Sequence, residues 1–199
     1  MNKKLREQII NQKIRNKHKG IDVTFSGTDS FDEFMDKIAA ELATGTDIVQ
    51  LNGKNLSDKQ FLDCAKKIKQ LCELFQATFI VKNRADVAYL SGADSVNLEQ
   101  EDLDIRYVKE IIGEEILIGI YTNTENDVLC SVKDGADYIS MKQIFPTPTE
   151  PVKNTGLEYA KWVSENTLCP VLVSGKINID NYQSLTNDNS IKLLTEHLY

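Results

Sequence analysis

The chain has 199 residues, 23 Lys/Arg against 30 Asp/Glu, and 41% hydrophobic residues. That is enough length and apolar sequence for one domain with a sizeable core. No run approaches the roughly 18 apolar residues of a membrane span, and no apolar signal core follows the N-terminal lysines. The expectation is a soluble, cytoplasmic protein without a membrane partner.

Residues 1–20 carry seven Lys/Arg (Lys3, Lys4, Arg6, Lys13, Arg15, Lys17, Lys19) against Glu7 alone. The remainder holds 16 basic against 29 acidic residues, a body that repels nucleic acid. The basic stretch reads as a helix with Leu5, Ile9, Ile10 and Ile14 as its apolar stripe, packed against the acidic body. Cys64, Cys72, Cys130 and Cys169 form no CxxC pair and no metal-like cluster with His18 or His197, and they read as reduced, mostly buried thiols.

From Val23 onward, short apolar runs alternate with amphipathic segments. The runs are Val23–Phe25, Ile48–Leu51, Phe79–Val81, Ser95–Leu98, Leu117–Ile120, Tyr138–Met141, Val171–Val173 and a weaker Ile191–Leu194. Each reads as a buried parallel strand. Phe31–Ala43 places Phe34, Ile38 and Leu42 on one helical face, and Asp58–Phe75 does the same with Phe61, Ala65, Ile68 and Cys72 behind an N-cap at Ser57. Gly45-Thr46-Asp47, Gly92-Ala93-Asp94 and Gly135-Ala136-Asp137 each stand between a helix and a strand, before the second, fourth and sixth strands. Glycine there ends a helix, and these copies belong to the bottom face, where residues serve stability. Eight alternating units point to α/β architecture, a (β/α)8 TIM barrel, rather than a flavodoxin-like open sheet of five or six strands. The organisation is a basic N-terminal helix over 1–20 and a barrel over 21–199, with no linker between domains.

Active sites of such barrels lie where strands end. The residues after the strands form a polar ring: Gln50, Asn52 and Lys54; Lys82, Asn83 and Arg84; Asn97, Gln100, Glu101 and Asp102; Tyr121, Thr122 and Asn123; Lys142 and Gln143; Ser174, Gly175 and Lys176. A proline-rich loop, Phe145–Pro151, adds Thr147 and Thr149.

The same segments resemble thiamine phosphate synthases. Ile48–Ser57 resembles the family's VQLRxKxLS, with Asn52 where Arg is usual. Phe79–Ala88 is similar to FIVNDRxDVA, with Lys82 and Asn83 in place of Asn and Asp. Gly92–Leu103 resembles GADGVHLGQEDL and keeps Gln100, Glu101 and Asp102, while Gly135–Ile139 followed by Ile144–Thr149 resembles GADYIGxGPIFPTPT. Glu150 stands where a basic residue usually follows, and Tyr121 where a small Ser is preferred.

The resemblance implies a transferase that joins a pyrimidine diphosphate to a thiazole phosphate and expels pyrophosphate, with Mg2+ as cofactor and small phosphorylated heterocycles as partners. Carried over by motif, Gln50 and Lys54 are catalytic and face the pyrimidine diphosphate, and Asn52, Lys82, Asn83 and Gln100 are substrate-binding. Thr147 and Thr149 lie near the thiazole phosphate, and Gly175 matches a glycine of the seventh-strand phosphate loop, where Ser174 replaces its partner. Asp102 and Asn83 occupy the metal positions, and exchange of a carboxylate for an amide implies Mg2+ weakly bound or lost. Related thiazole tautomerases use a His after the sixth strand, where this chain has Gln143. The sequence ends soon after the eighth run, so the expected barrel has a shortened C-terminus, and the basic helix is expected to cover the flank thus exposed. Three readings stand: a divergent synthase, a catalytically degenerate barrel that binds a phosphate ligand or regulates, or an enzyme acting on another phosphorylated heterocycle with Lys82 and Lys142 serving the changed ligand.

Overall fold

A computed structural model describes residues 3–17, 19–27, 30–53, 55–142, 144–145, 156–175, 177 and 191–198. Eight strands, β1 (Lys19–Phe25), β2 (Ile48–Gly53), β3 (Thr78–Lys82), β4 (Ser95–Leu98), β5 (Leu117–Tyr121), β6 (Tyr138–Met141), β7 (Val171–Gly175) and β8 (Ile191–Leu198), pair in parallel in chain order, and β8 closes onto β1. The expected TIM barrel is the fold. Six helices follow strands: α2 (Phe31–Ala43), α3 (Asp58–Leu74), α4 (Ala85–Ser91), α5 (Ile105–Ile112), α6 (Glu125–Asp134) and α7 (Leu157–Asn166). An additional helix, α1 (Lys3–Ile10), precedes the barrel and continues into a π-helical turn at Asn11–Arg15. Among the described residues, no helix is long and apolar enough to cross a membrane.

Local chemistry accounts for the helix boundaries. Ser57 accepts a hydrogen bond from the Gln60 N–H while the Gln60 side chain accepts from the Ser57 N–H, a reciprocal cap that starts α3. The stripe Phe34, Ile38 and Leu42 is buried, as its spacing predicts, in a core with the outward faces of the strands: Ile21, Val23, Val49, Leu51, Phe79, Val81, Val96, Ile118 and Ile139. Of the four cysteines, Cys64 and Cys72 are buried, Cys169 is half-buried and Cys130 is exposed, and all are free.

The three Gly-x-Asp echoes lie at the lower face, as expected, and their aspartates stitch neighbouring strands. Asp47, Asp94 and Asp137 accept hydrogen bonds from the N–H groups of Lys19 (3.0 Å), Phe79 (2.9 Å) and Ile118 (2.8 Å) at the starts of β1, β3 and β5. Gly92 and Gly135 end α4 and α6 in the left-handed conformation (φ 71° and 95°) that only glycine adopts without strain.

The N-terminal segment departs from expectation in its place. Instead of covering a flank, it closes the lower mouth. Ile10 and Ile14 pack with Ile48, Ile80, Leu117, Tyr138 and Leu172, the lowest inward residues of the strands. Arg6 clasps Asp137, with its Nε donating at 2.7 Å, and Lys13 reaches Asp94 at 2.7 Å. The Thr78 hydroxyl donates to the Lys13 carbonyl (2.7 Å) and Lys17 to the Gln76 carbonyl (2.9 Å). Burial alone pushes the Asp94 carboxyl up. The Lys13 and Phe79 hydrogen bonds, with the charges of Lys13 and Lys69, outweigh it and hold the group below its ordinary range. The stripe is also shifted: Ile10 and Ile14 are buried, whereas Leu5 is exposed.

Candidate active site

Side chains alternate across a strand, so every second residue enters the barrel. Stepping up β2 to β7, the inward residue turns from apolar or small to polar: Ile48 to Gln50 and Asn52, Ile80 to Lys82, Ser95 to Asn97, Gly119 to Tyr121, Tyr138 to Ser140, and Leu172 to Ser174. Tyr138 marks the transition. Its ring lies across the interior against Gly119, where an added Cβ would come within 2.1 Å of the ring, and its hydroxyl meets the Ser95 hydroxyl at 2.8 Å.

Above that ring a buried network fixes Gln50. Its Nε2 donates to Asp22 Oδ2 and to the Tyr121 hydroxyl, both at 2.9 Å, and its Oε1 accepts from Asn97 Nδ2 at 2.7 Å. The Gln50 amide is thereby held in one orientation. Tyr121, 3% exposed, is further held by Gln100, whose Nε2 donates to its backbone carbonyl at 2.8 Å. Burial, reinforced by the charge of Asp22, pushes the Tyr121 phenol well above its ordinary value against the opposing Gln50 hydrogen bond, so it stays neutral. Asn97 Oδ1 and Ser140 Oγ are buried and have no hydrogen-bond partner among the described residues. Such orphaned groups are rare and mark a place where water or ligand completes the structure.

Two cations stand at the mouth. Lys82 Nζ from β3 and Lys142 Nζ just past β6 lie 5.1 and 4.4 Å from the centre of the Tyr121 ring, and Lys142 is also ion-paired with Glu99. The Ser174 hydroxyl is turned aside to the Met141 carbonyl (3.3 Å), and Gly175 ends β7 beside it.

Of the expected site residues, Gln50, Asn52, Lys82, Gln100, Ser174 and Gly175 come from strand ends or the turns after them at the upper face. Asn83 and Asp102 come together elsewhere on that face. They line a cavity of about 210 Å³ between α4 and α5, with Asp86, Leu98 and Ile111. Lys54, Thr147, Thr149 and Glu150 lie outside the described residues. Arg84 turns away from the mouth to Asp86 and Asp58 at 2.7–2.8 Å. Sequence reasoning passed over Asp22, because β1 begins at Lys19 rather than Val23. The polar alternation Asp22, Thr24 within Lys19–Phe25 carries that signal.

The donors near Asp102 are already engaged or neutral. Asp102 Oδ2 already accepts the Glu99 N–H at 2.8 Å, Asp86 is engaged by Arg84, and Asn83 brings only a neutral amide. Among the described residues no group of three or more His, Cys, Asp or Glu side chains is placed to hold a metal. These residues do not fit a resident Mg2+ held by the protein.

The family model for thiamine monophosphate synthase matches residues 23–190, nearly the whole barrel. The chain belongs to that family. Among relatives, it is 36% identical over 146 residues to a thiamine-phosphate synthase of Clostridium tetani, covering 73% of this chain and 70% of that protein. It is 37% identical over 170 residues to the thiamine-phosphate synthase of Prochlorococcus marinus, covering 85% of this chain but only 48% of that longer protein. Among solved structures, a thiamine phosphate pyrophosphorylase from Pyrococcus furiosus superposes with a TM-score of 0.79 at 28% identity, over 93% of this chain and 87% of that one. A 3-hexulose-6-phosphate synthase, at 14% identity and TM-score 0.62, shares the fold. The expected thiamine phosphate synthase-like protein of thiamine biosynthesis is thus what the chain resembles in sequence and in structure.

Proposed function

We propose that the protein is a divergent thiamine phosphate synthase that joins a pyrimidine diphosphate to a thiazole phosphate at the upper mouth of the barrel. The observation that carries this reading is the polar upper interior, with Gln50 fixed by three hydrogen bonds and Asn97 Oδ1 and Ser140 Oγ left without partners. A heterocycle bearing an amino group and ring nitrogens offers the donors and acceptors those atoms lack. In the transfer, the carbon–oxygen bond to the diphosphate breaks and pyrophosphate departs with the bonding pair. A carbon–nitrogen bond to the thiazole replaces it.

The protein's part is to orient the ring and to stabilise the charge that leaves. Gln50, Asn52 and Gln100 bind and orient the pyrimidine, and Lys54, Lys82 and Asn83 face its diphosphate. Thr147, Thr149, Ser174 and Gly175 receive the thiazole phosphate. Preorganised cations aimed at a leaving anion commonly supply the largest share of such catalysis. Asp102 and Asn83 contact Mg2+ weakly or no longer, and no step is assigned to the metal.

Purified protein given both substrates is expected to release pyrophosphate and form thiamine phosphate, read by a coupled pyrophosphate assay. No product at high enzyme concentration ends this reading. A second one, a catalytically degenerate barrel that binds a phosphate ligand, is favoured by Tyr121, whose buried ring occupies the mouth. Heat on titration with thiazole phosphate, without turnover, supports it, and absence of both heat and a melting shift ends it.

A further inference from the structure

We propose that the outer side of α5, with Tyr89 of α4 beside it, is the surface through which two copies of this chain pair, their α5 helices antiparallel about a two-fold axis. This surface lies on the outside of the barrel, and the proposal does not depend on the reaction carried out at the mouth.

Helix α5 carries two apolar rows where a barrel helix needs one. Ile105, Val108 and Ile112 are buried in the core. Leu103, just before the helix, Tyr107 and Ile111 recur every four residues and so share a second side, and each is more than half exposed. Tyr89, also more than half exposed, continues this row onto α4, which packs against α5. It lines one hollow with Ile112 and Gly113 at the lower end of the two helices, and Leu103 and Ile111 line another at the upper end. The four exposed side chains offer roughly 500 Å² of largely apolar surface, more than the few hundred that a lone protein usually leaves in one patch. With the polar groups that flank it, the footprint approaches the roughly 800 Å² per partner of a specific interface. Packing within one chain gives no reason for this second row.

Charge points to a second copy as the occupant. The chain carries 23 basic against 30 acidic residues, so two copies repel each other over most of their surface. Beside the apolar row the charges are mixed, with Arg106 between Asp104 and Glu110. Asp104 accepts from Arg106 Nε at 3.0 Å and Nη2 at 2.7 Å, which fixes the guanidinium on the helix surface and leaves its Nη1 for another acceptor. Arg106 and Glu110 stand one helical turn apart, both exposed. When two α5 helices meet antiparallel with the axis level with Val108, these positions exchange. Arg106 of each copy then faces Glu110 of the other, while Tyr107 and Ile111 of each cover the apolar row of the other. A patch that matches its own reversed image in both apolar and charged groups is what two-fold pairing demands.

The test is sedimentation of the full chain between about 1 and 100 µM, a range in which an interface of this size associates. A dimer is expected. Tyr107→Glu and Ile111→Glu place a charge in the apolar row and should each weaken pairing by at least about tenfold, with the circular dichroism unchanged because both side chains are exposed. Arg106→Glu and Glu110→Arg should each weaken it by about fivefold. The double reversal Arg106→Glu/Glu110→Arg should return it to within about threefold of the unaltered chain, since opposite charges then meet again across the axis. The charge variants serve if Tyr107→Glu or Ile111→Glu does not fold. A monomer throughout this range, a dimer that Tyr107→Glu and Ile111→Glu leave intact, or a double reversal that pairs no more tightly than its single changes overturns the proposal.

Discussion

At the lower end of the barrel, Ile10 and Ile14 fill the space among Ile48, Ile80, Leu117 and Leu172, and the aspartates around them are paired with Arg6, Lys13 and Lys69. Further along the same strands the interior holds Gln50, Lys82, Tyr121 and Ser174, and among the described residues Asn97 Oδ1 and Ser140 Oγ have no hydrogen-bond partner there. The same strands therefore carry an apolar, ion-paired end and a polar end with unpaired buried atoms. The packing and ion pairs that serve stability lie at the first, and the ligand chemistry is proposed for the second, the division expected of this fold.

Four substitutions break or sharpen that contrast, beginning with the largest effect. Ile14→Ala removes a fully buried side chain from the lower plug and should cost about 3 kcal/mol in urea-induced unfolding, with pyrophosphate release unchanged. Loss of that release would mean that the two ends are coupled. Asp94→Asn should cost about 2 kcal/mol at neutral pH, because Lys13, Lys69 and the Phe79 N–H lose a charged acceptor. The Asp94 carboxyl is held below its ordinary value, so its contribution is full above the unfolded pKa near about 4 and fades as pH falls through the folded one. The gap between the unfolding midpoints of the two proteins should begin to narrow as pH falls below about 4 and close only below the folded pKa, and a gap that does not narrow in acid would refute the charge argument.

At the upper end, Gln50→Leu should cost about 1 kcal/mol in stability but abolish product formation, since it strips the network of its central amide. Retained turnover would remove Gln50 from the site. Ser140→Ala deletes a buried hydroxyl without a partner, and it should be neutral or stabilise by up to about 1 kcal/mol in thermal unfolding. A clear loss would show that the hydroxyl is satisfied in solution.

Local signals made the barrel legible in the sequence. The stripe Phe34, Ile38, Leu42 and the cap at Ser57 carry their helical period and hydrogen-bonding chemistry in neighbouring residues, and the structure places both as read. The Gly-x-Asp echoes were legible as helix ends, but not as partners of a remote helix. The Arg6–Asp137 pair spans 131 positions, and no local pattern encodes it. The basic residues and Ile14 carried the helix, while its position under the barrel followed only from closure of the sheet. In the site, Gln50, Lys82 and Gln100 were readable because residues after strands face the mouth. Asp22 was not, since the apolar run that announced β1 starts one residue after it. The convergence of Lys82 and Lys142 on one ring depends on β3 and β6, which lie on either side of β5 in the closed sheet, meeting in space. Separate motifs hold no trace of that meeting.

Gly119 has a consequence for how such a protein can diverge. Because it has no side chain, the Tyr138 ring lies flat across the interior and acts as a bulkhead between the two halves. Replacements on the upper side, such as a tyrosine or a lysine for a smaller or neutral residue, are insulated from the packing beneath. A lineage can thus reshape what the mouth accepts while the base that keeps the chain folded goes on unaltered.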